Sequence, residues 1–411
     1  MMRFFQVGRR WVVLAGCAFF AAVAAAAGPK AYVGNFADNT VSVVDIGSAA
    51  VVAAIPVVMG PHGMAVSPDG LTVYVSGDGA SAVSVIDTAT DKVARTIDVG
   101  KSPHGLAMSR DGSLLLAGVY GDDRVAFIDT ATQAVVATVP VDKPHTIALR
   151  PDGREAYVAS QAPGRFALVV IDLASRTVSR RVPLEKPPRD LEFGYDGAKL
   201  YFTMAGVNAV QVLDPAGDRI VAEVPTGASP HLANVFRGAP GGAAIVQGPG
   251  EVLLFEPATN KPIRSIAVGK QPHWMAAATG GGTLYVTNEG SNSLSVVDLA
   301  SGTTKTITVG NAPRKVVVQP DAARGAASGK RIEIRNFAFA PAETTVAAGD
   351  TVVWTNDDGA PHGLAFADGA AGTGVLLPEA SFQRTFDRPG SYDYVCAVHP
   401  YMTGRVIVRT P

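Results

Sequence analysis

The sequence predicts an all-β protein, a seven-bladed β-propeller followed by a small β-sandwich. Three observations predict it. Residues 30–320 repeat at intervals of 41–44 residues, and each repeat holds four short apolar strands separated by turn residues. After Lys330 the repeat stops and a different set of alternating segments runs to Pro411. With 44 Gly, 28 Pro and 17% charged residues, the composition suits a turn-rich β chain and argues against long surface helices.

The repeat is clearest from Pro61 to Gly100. Pro61-His62-Gly63 opens it, and Asp69-Gly70 marks a tight turn before the strand at Thr72–Val75. Two further strands follow at Ala82–Asp87 and Val93–Val99. The Asp-Gly turn recurs at 111–112, 152–153 and 196–197. The residue after the repeat's proline is His62, His104, His145, Arg189, His231, His273 and Arg314 in turn, which counts seven units. The first unit begins at Ala31–Gly34, already a second strand, and the last ends with a first strand at Lys315–Gln319. Pairing these two ends closes the ring and removes its open edges. Tyr285-Val286-Thr287-Asn288, with variants from Tyr32, Tyr74 and Tyr157, resembles the YVTN family of seven-bladed propellers. That resemblance implies the fold and leaves the activity open.

Residues 1–27 read as an export signal peptide. Arg3, Arg9 and Arg10 precede an apolar run from Trp11 to Ala27 that ends in three alanines. Leu14-Ala15-Gly16-Cys17 offers a lipoprotein alternative with Cys17 as the anchor, but cleavage near Ala27 is the expectation. The mature chain is then periplasmic and lacks an integral membrane span. Residues 321–329, rich in Ala and Gly, read as a linker between the propeller at 30–320 and the sandwich at 330–411. A net charge of −1 with no basic run excludes a nucleic acid partner.

The sandwich carries the chemistry. Strands are expected at Ile332–Ile334, Phe337–Phe339, Thr344–Val346, Asp350–Trp354, Phe382–Phe386, Ser391–Val395 and Arg405–Val408. His362 follows the turn after Trp354, while Cys396, His399 and Met402 share one loop between the last two strands. One thiolate, two imidazoles and a thioether are the ligands of a mononuclear type 1 copper ion that transfers single electrons. The loop has no second cysteine, so a binuclear copper centre does not fit. This pattern resembles the cupredoxins, amicyanin and plastocyanin among them. The resemblance implies one copper cofactor, a redox partner protein and His399 as the electron port. Gly363 stands where several cupredoxins carry an asparagine that tethers the ligand loop.

The five propeller histidines, His62, His104, His145, His231 and His273, are expected to circle one channel mouth, with Arg189 and Arg314 in the remaining two places. Two readings stand side by side. In one, the imidazole is a partly exposed filler of the Pro-x-Gly turn. In the other, the ring holds an additional metal, an anion or a substrate, with Met64, Met108 and Met275 nearby. The domain order is similar to nitrous oxide reductase, but that cluster uses seven histidines and that enzyme's electron-entry centre two cysteines. Asp45, Asp87, Asp129, Asp172, Asp214 and Asp298 end the third strands and read as turn caps. The sequence therefore predicts an exported electron-transfer protein whose propeller is a docking or second-site module. The alternative is a periplasmic oxidoreductase with a second metal or substrate site in the ring.

Overall fold

The computed structural model describes residues 29–320 and 330–409, apart from 349, 370, 371, 374, 379 and 387. The expected export signal, residues 1–27, and the expected linker, residues 321–329, lie outside the described residues. Among the described residues nearly all regular structure is β-strand, with two single-turn 3-10 segments at Tyr120–Asp122 and Glu289–Ser291.

Seven four-stranded antiparallel sheets make the propeller. In a typical blade, Pro61–Val66 lies innermost, and Thr72–Gly77, Ala82–Asp87 and Lys92–Asp98 follow outward. The middle strands are apolar on both faces because each blade is sandwiched between two others, so nearly every residue of Thr72–Gly77 is buried. Lys92–Asp98 is the outer edge, and only Ile97 of it is buried. Asp69 accepts a hydrogen bond from the Leu71 amide, and Gly70 takes φ +72° to close the turn between the first two strands. The six aspartates at the ends of third strands act as turn caps. Asp45, for example, accepts from the Ser48 amide at 2.7 Å, and Asp298 accepts from Ser301 in the same way.

The seventh blade joins the two ends of the propeller. Its sheet runs Pro313–Val318, Lys30–Asn35, Thr40–Asp45, Ala50–Pro56, with Ala31 opposite Val318 and Val33 opposite Val316. Gln319 completes the seam, because its amide donates to the Lys30 carbonyl and its side chain accepts from the Lys30 amide.

The sandwich packs two four-stranded sheets. One is ordered Ala338–Ala340, Lys330–Arg335, Thr351–Asn356, Ser381–Thr385, and the other Glu343–Ala347, Thr403–Arg409, Gly390–Cys396, Leu364–Phe366. The strand Leu364–Phe366 has no counterpart in the sequence reading, since three residues are too few to show a period. Trp354, Phe386 and Tyr394 fill the core, which continues without a break into Cys396 and Met402. The sequence-predicted ligand loop is thus built on the end of a packed core.

Candidate metal centre

Cys396 is the last residue of its strand and is wholly buried. Its amide donates to the Met402 carbonyl at 3.0 Å, while the Met402 amide donates to the His399 carbonyl at 3.0 Å. The loop is therefore a closed turn that returns at once to Thr403–Arg409. The His399 amide donates to the Cys396 sulfur, 3.3 Å away. His362 enters from the facing segment through a two-way backbone bridge with Leu376.

These elements bring three donor atoms together. Cys396 Sγ lies 3.5 Å from His362 Nδ1 and 3.8 Å from His399 Nδ1, and the two Nδ1 atoms are 3.3 Å apart. Such separations fit around one ion with bonds of about 2.0–2.3 Å. Among the described residues this trio is the one group of three His, Cys, Asp or Glu ligand atoms within 4.8 Å of one another. Met402 is buried in the same cluster as Cys396.

Asp358, which the sequence reading missed, organises the site. His362 Nε2 donates to Asp358 Oδ2 at 2.9 Å, which puts the ring proton there and leaves the Nδ1 lone pair facing the thiol. Asp358 also accepts from the amides of Asn336 and Phe337, at 2.6 and 2.8 Å. Both of those residues have positive φ, 51° and 55°, so the carboxylate offsets a strained turn. The turn sets the Phe337 ring edge-on to His362 and His399, with centroids 5.5 and 5.0 Å away. The spacing Asp-x-x-x-His is the only trace of this in the sequence. Gly363 leaves no gap in the tethering, because its carbonyl accepts from the Ala397 amide of the ligand loop at 3.1 Å, while the buried Asn356 donates to the carbonyls of Ala360 and Leu376 on the His362 side. Three of the four expected ligands are buried, and His399 alone reaches partway to solvent.

The propeller histidines do converge. Ring centroids are 3.7 Å apart for His62 and His104, 3.9 Å for His104 and His145, and 4.2 Å for His231 and His273. Each is the second residue of its inner strand rather than a residue before it. His104, His231 and His273 are buried, not partly exposed fillers. Nδ1 of His104, His145 and His273 donates to the backbone carbonyl of the next ring position, namely His145, Arg189 and Arg314. His231 Nδ1 instead meets Asp190 Oδ2 at 2.6 Å. Burial, reinforced by neighbouring imidazoles, holds His62, His104 and His273 well below the usual histidine range, and burial lowers His145 too. The two arginines do not turn to the axis. Arg189 donates to Ser229, and Arg314 pairs with Glu289 and stacks on Phe36 at 3.6 Å.

Known proteins share these parts. The family described as copper binding proteins, plastocyanin/azurin family, matches residues 326–409, and the one described as YNCE-like beta-propeller matches residues 6–113. Amicyanin of Paracoccus versutus is 36% identical over 83 residues, which cover 19% of this chain and 63% of that protein. Amicyanin-alpha of Methylorubrum extorquens is 33% identical over 91 residues, covering 20% of this chain and 74% of its own length. The chain thus spans less than two thirds of the first relative. Among solved structures, the hydrazine synthase of Kuenenia stuttgartiensis superposes with a TM-score of 0.57 at 19% identity, over 72% of this chain and 99% of that one. At that identity the likeness is one of fold alone.

Proposed function

Through residues 326–409 the chain belongs to the plastocyanin/azurin family of copper-binding proteins, and on that premise we propose that it transfers single electrons through one type 1 copper ion held by His362, Cys396, His399 and Met402. The observation that carries this reading is the convergence of one sulfur and two Nδ1 atoms within 3.8 Å of each other. Bound copper supplies the one-electron couple. The protein's part is to keep the ligands still. Asp358 fixes the tautomer and tilt of His362, the His399 amide faces the sulfur, and the core behind Cys396 excludes water. Ligands that are already placed need little rearrangement when the metal changes charge.

His399 serves as the electron port in this reading. Exposed apolar side chains cluster in the sandwich at Phe337, Val375, Leu377, Val398 and Tyr401, in the segments that carry the ligands or flank them. A patch of this kind suits brief contact with a redox partner protein. In this reading the export signal expected at residues 1–27 supports a periplasmic setting, and the propeller serves as a docking or second-site module. A second metal in the histidine ring draws less support, since no three ring imidazoles offer nitrogens within 4.8 Å of one another among the described residues.

The test is optical. Copper-loaded protein should show an intense visible thiolate-to-copper absorption that Cys396→Ser abolishes. A colourless, copper-replete wild type would refute the assignment.

A further inference from the structure

Past the imidazoles, all seven inner strands wall a cavity of about 400 Å³ on the propeller axis. Its volume is in the range of small-molecule sites, about 300–1,000 Å³. Most of the lining side chains are apolar, with Trp274, Phe236, Met64 and Met275 among them. Three polar side chains also line it: Glu192, Asn234 and Lys315.

The placement of these three is costly without a ligand. Glu192 and Lys315 come from inner strands three blades apart, Pro188–Phe193 and Pro313–Val318. Each is enclosed by the ring yet keeps part of its surface on the cavity. Among the described residues they act on one another and on Asp190 through space, with no direct hydrogen bond between them. The nearby Asp190 is already occupied by His231. The Lys315 ammonium rests on the Trp274 ring, 3.6 Å from its centroid, which positions it without neutralising it. Asn234 Oδ1 is buried and without a partner. Burial pushes the Glu192 carboxyl up to about 7 and lowers Lys315, and the opposite charge of each draws the other only partway back.

Opposite charges facing each other across an apolar cavity are complementary to a molecule carrying the same two charges reversed. We propose that the axial cavity binds a small zwitterion with an apolar side chain, an α-amino acid of the leucine or methionine kind, with its carboxylate on Lys315 and its ammonium on Glu192. The Met and Trp walls receive the side chain. A lone carboxylate would satisfy Lys315 and leave Glu192 without a donor. A lone amine would do the reverse. The inference is independent of the copper reading, because no ligand of the metal centre takes part.

Equilibrium dialysis of the full chain against labelled L-leucine at pH 7.5 tests it, with 4-methylpentanoate and isopentylamine as half-molecule competitors. L-Leucine should bind at least tenfold more tightly than either competitor. Glu192→Gln and Lys315→Met should each weaken it at least tenfold while leaving the copper absorption unchanged. Circular dichroism checks that each variant folds, and if Lys315→Met does not fold, Glu192→Gln decides alone. Absence of L-leucine binding up to millimolar concentration overturns the proposal. So does a carboxylate competitor that binds as tightly as leucine and is indifferent to Glu192→Gln, which would mark a plain anion site.

Discussion

Replacing Asp358 with alanine should damage the metal centre although Asp358 is not a ligand. The carboxylate serves three donors: His362 Nε2 and the amides of Asn336 and Phe337. His362 is wholly buried, so its ring N–H is left without water or protein, at a cost of about 1–3 kcal/mol. Asn336 and Phe337 are exposed, so water replaces those two bonds at lower cost. The imidazole is then free to turn, and loss of such a supporting hydrogen bond typically costs about 10–100-fold in metal affinity. That ratio converts to about 1.4–2.8 kcal/mol, which agrees with the unpaired-donor figure reached from the other side. Titration against a copper chelator measures the affinity, and chemical denaturation of the metal-free chain measures the stability. Asp358→Asn separates the parts, since one acceptor oxygen then remains for three donors. Its affinity should fall between wild type and alanine. A copper affinity within twofold of wild type in Asp358→Ala, with an unchanged spectrum, would refute the positioning role.

Acidification should destabilise the propeller before it touches most carboxylates. His62, His104, His145 and His273 stay neutral in the fold, while their unfolded counterparts take up protons below about pH 6.5. Stability is therefore full above that pH and falls below it, by up to about 1.4 kcal/mol per pH unit for each group. Glu192 opposes one of the four, because it keeps its proton up to about 7 and so loses stability as pH rises towards that value. Thermal melts between pH 7.5 and 5 should show the fall, and Glu192→Gln should steepen it; a flat profile would contradict the neutral ring. Gly63→Ala should cost about 1–3 kcal/mol, since the added methyl would collide with the His104 carbonyl oxygen and press on Ser76. A melt shows this, and an unchanged midpoint would mean that the two blades separate more easily than their packing indicates.

Much of the fold was legible because the propeller states its rule many times over. One Asp-Gly turn is ambiguous, but four at the same offset from the repeat's proline are not. Closure was equally readable, since an unpaired second strand at Ala31 and an unpaired first strand at Lys315 have one economical partner each. In the sandwich, the loop from Cys396 to Met402 was visible because the ligands lie within seven residues. Asp358 was not visible. Its role depends on the turn at Asn336–Phe337 lying beside it, a contact across 21 and 22 residues that no local pattern encodes. Asn356 was hidden for the same reason, while Gly363 drew attention by occupying a familiar position. The axial cavity was out of reach as well. Glu192 and Lys315 sit at unequal offsets in repeats 125 residues apart, Asp190 and Lys315 being the equivalents by count from the ring position. Only closing the ring shows that their side chains share one space.

The repeated imidazole has a physical account that requires no metal. Between blades there is no sheet ladder, so cohesion at the axis rests on side-chain packing and a few side-chain-to-backbone bonds. Nδ1 of His104, His145 and His273 supplies such bonds, each reaching the carbonyl of the following blade. Hydroxyls from Ser76, Thr146, Thr203 and Thr287 reach carbonyls of the same ring positions. An imidazole suits this place because it is short, flat and able to donate while neutral, so neighbouring rings can lie 3.7–4.2 Å apart without repulsion. A lysine there would carry its charge into a buried ring, and an aliphatic residue would strip the His145 carbonyl of its imidazole donor and leave those of Arg189 and Arg314 with a threonine hydroxyl alone. The two arginine positions fit the same logic, since their carbonyls accept the ring bonds while their guanidinium groups leave the axis for Ser229 and Glu289. The ring is thereby held neutral, and the charges that remain on the axis belong to the cavity beyond.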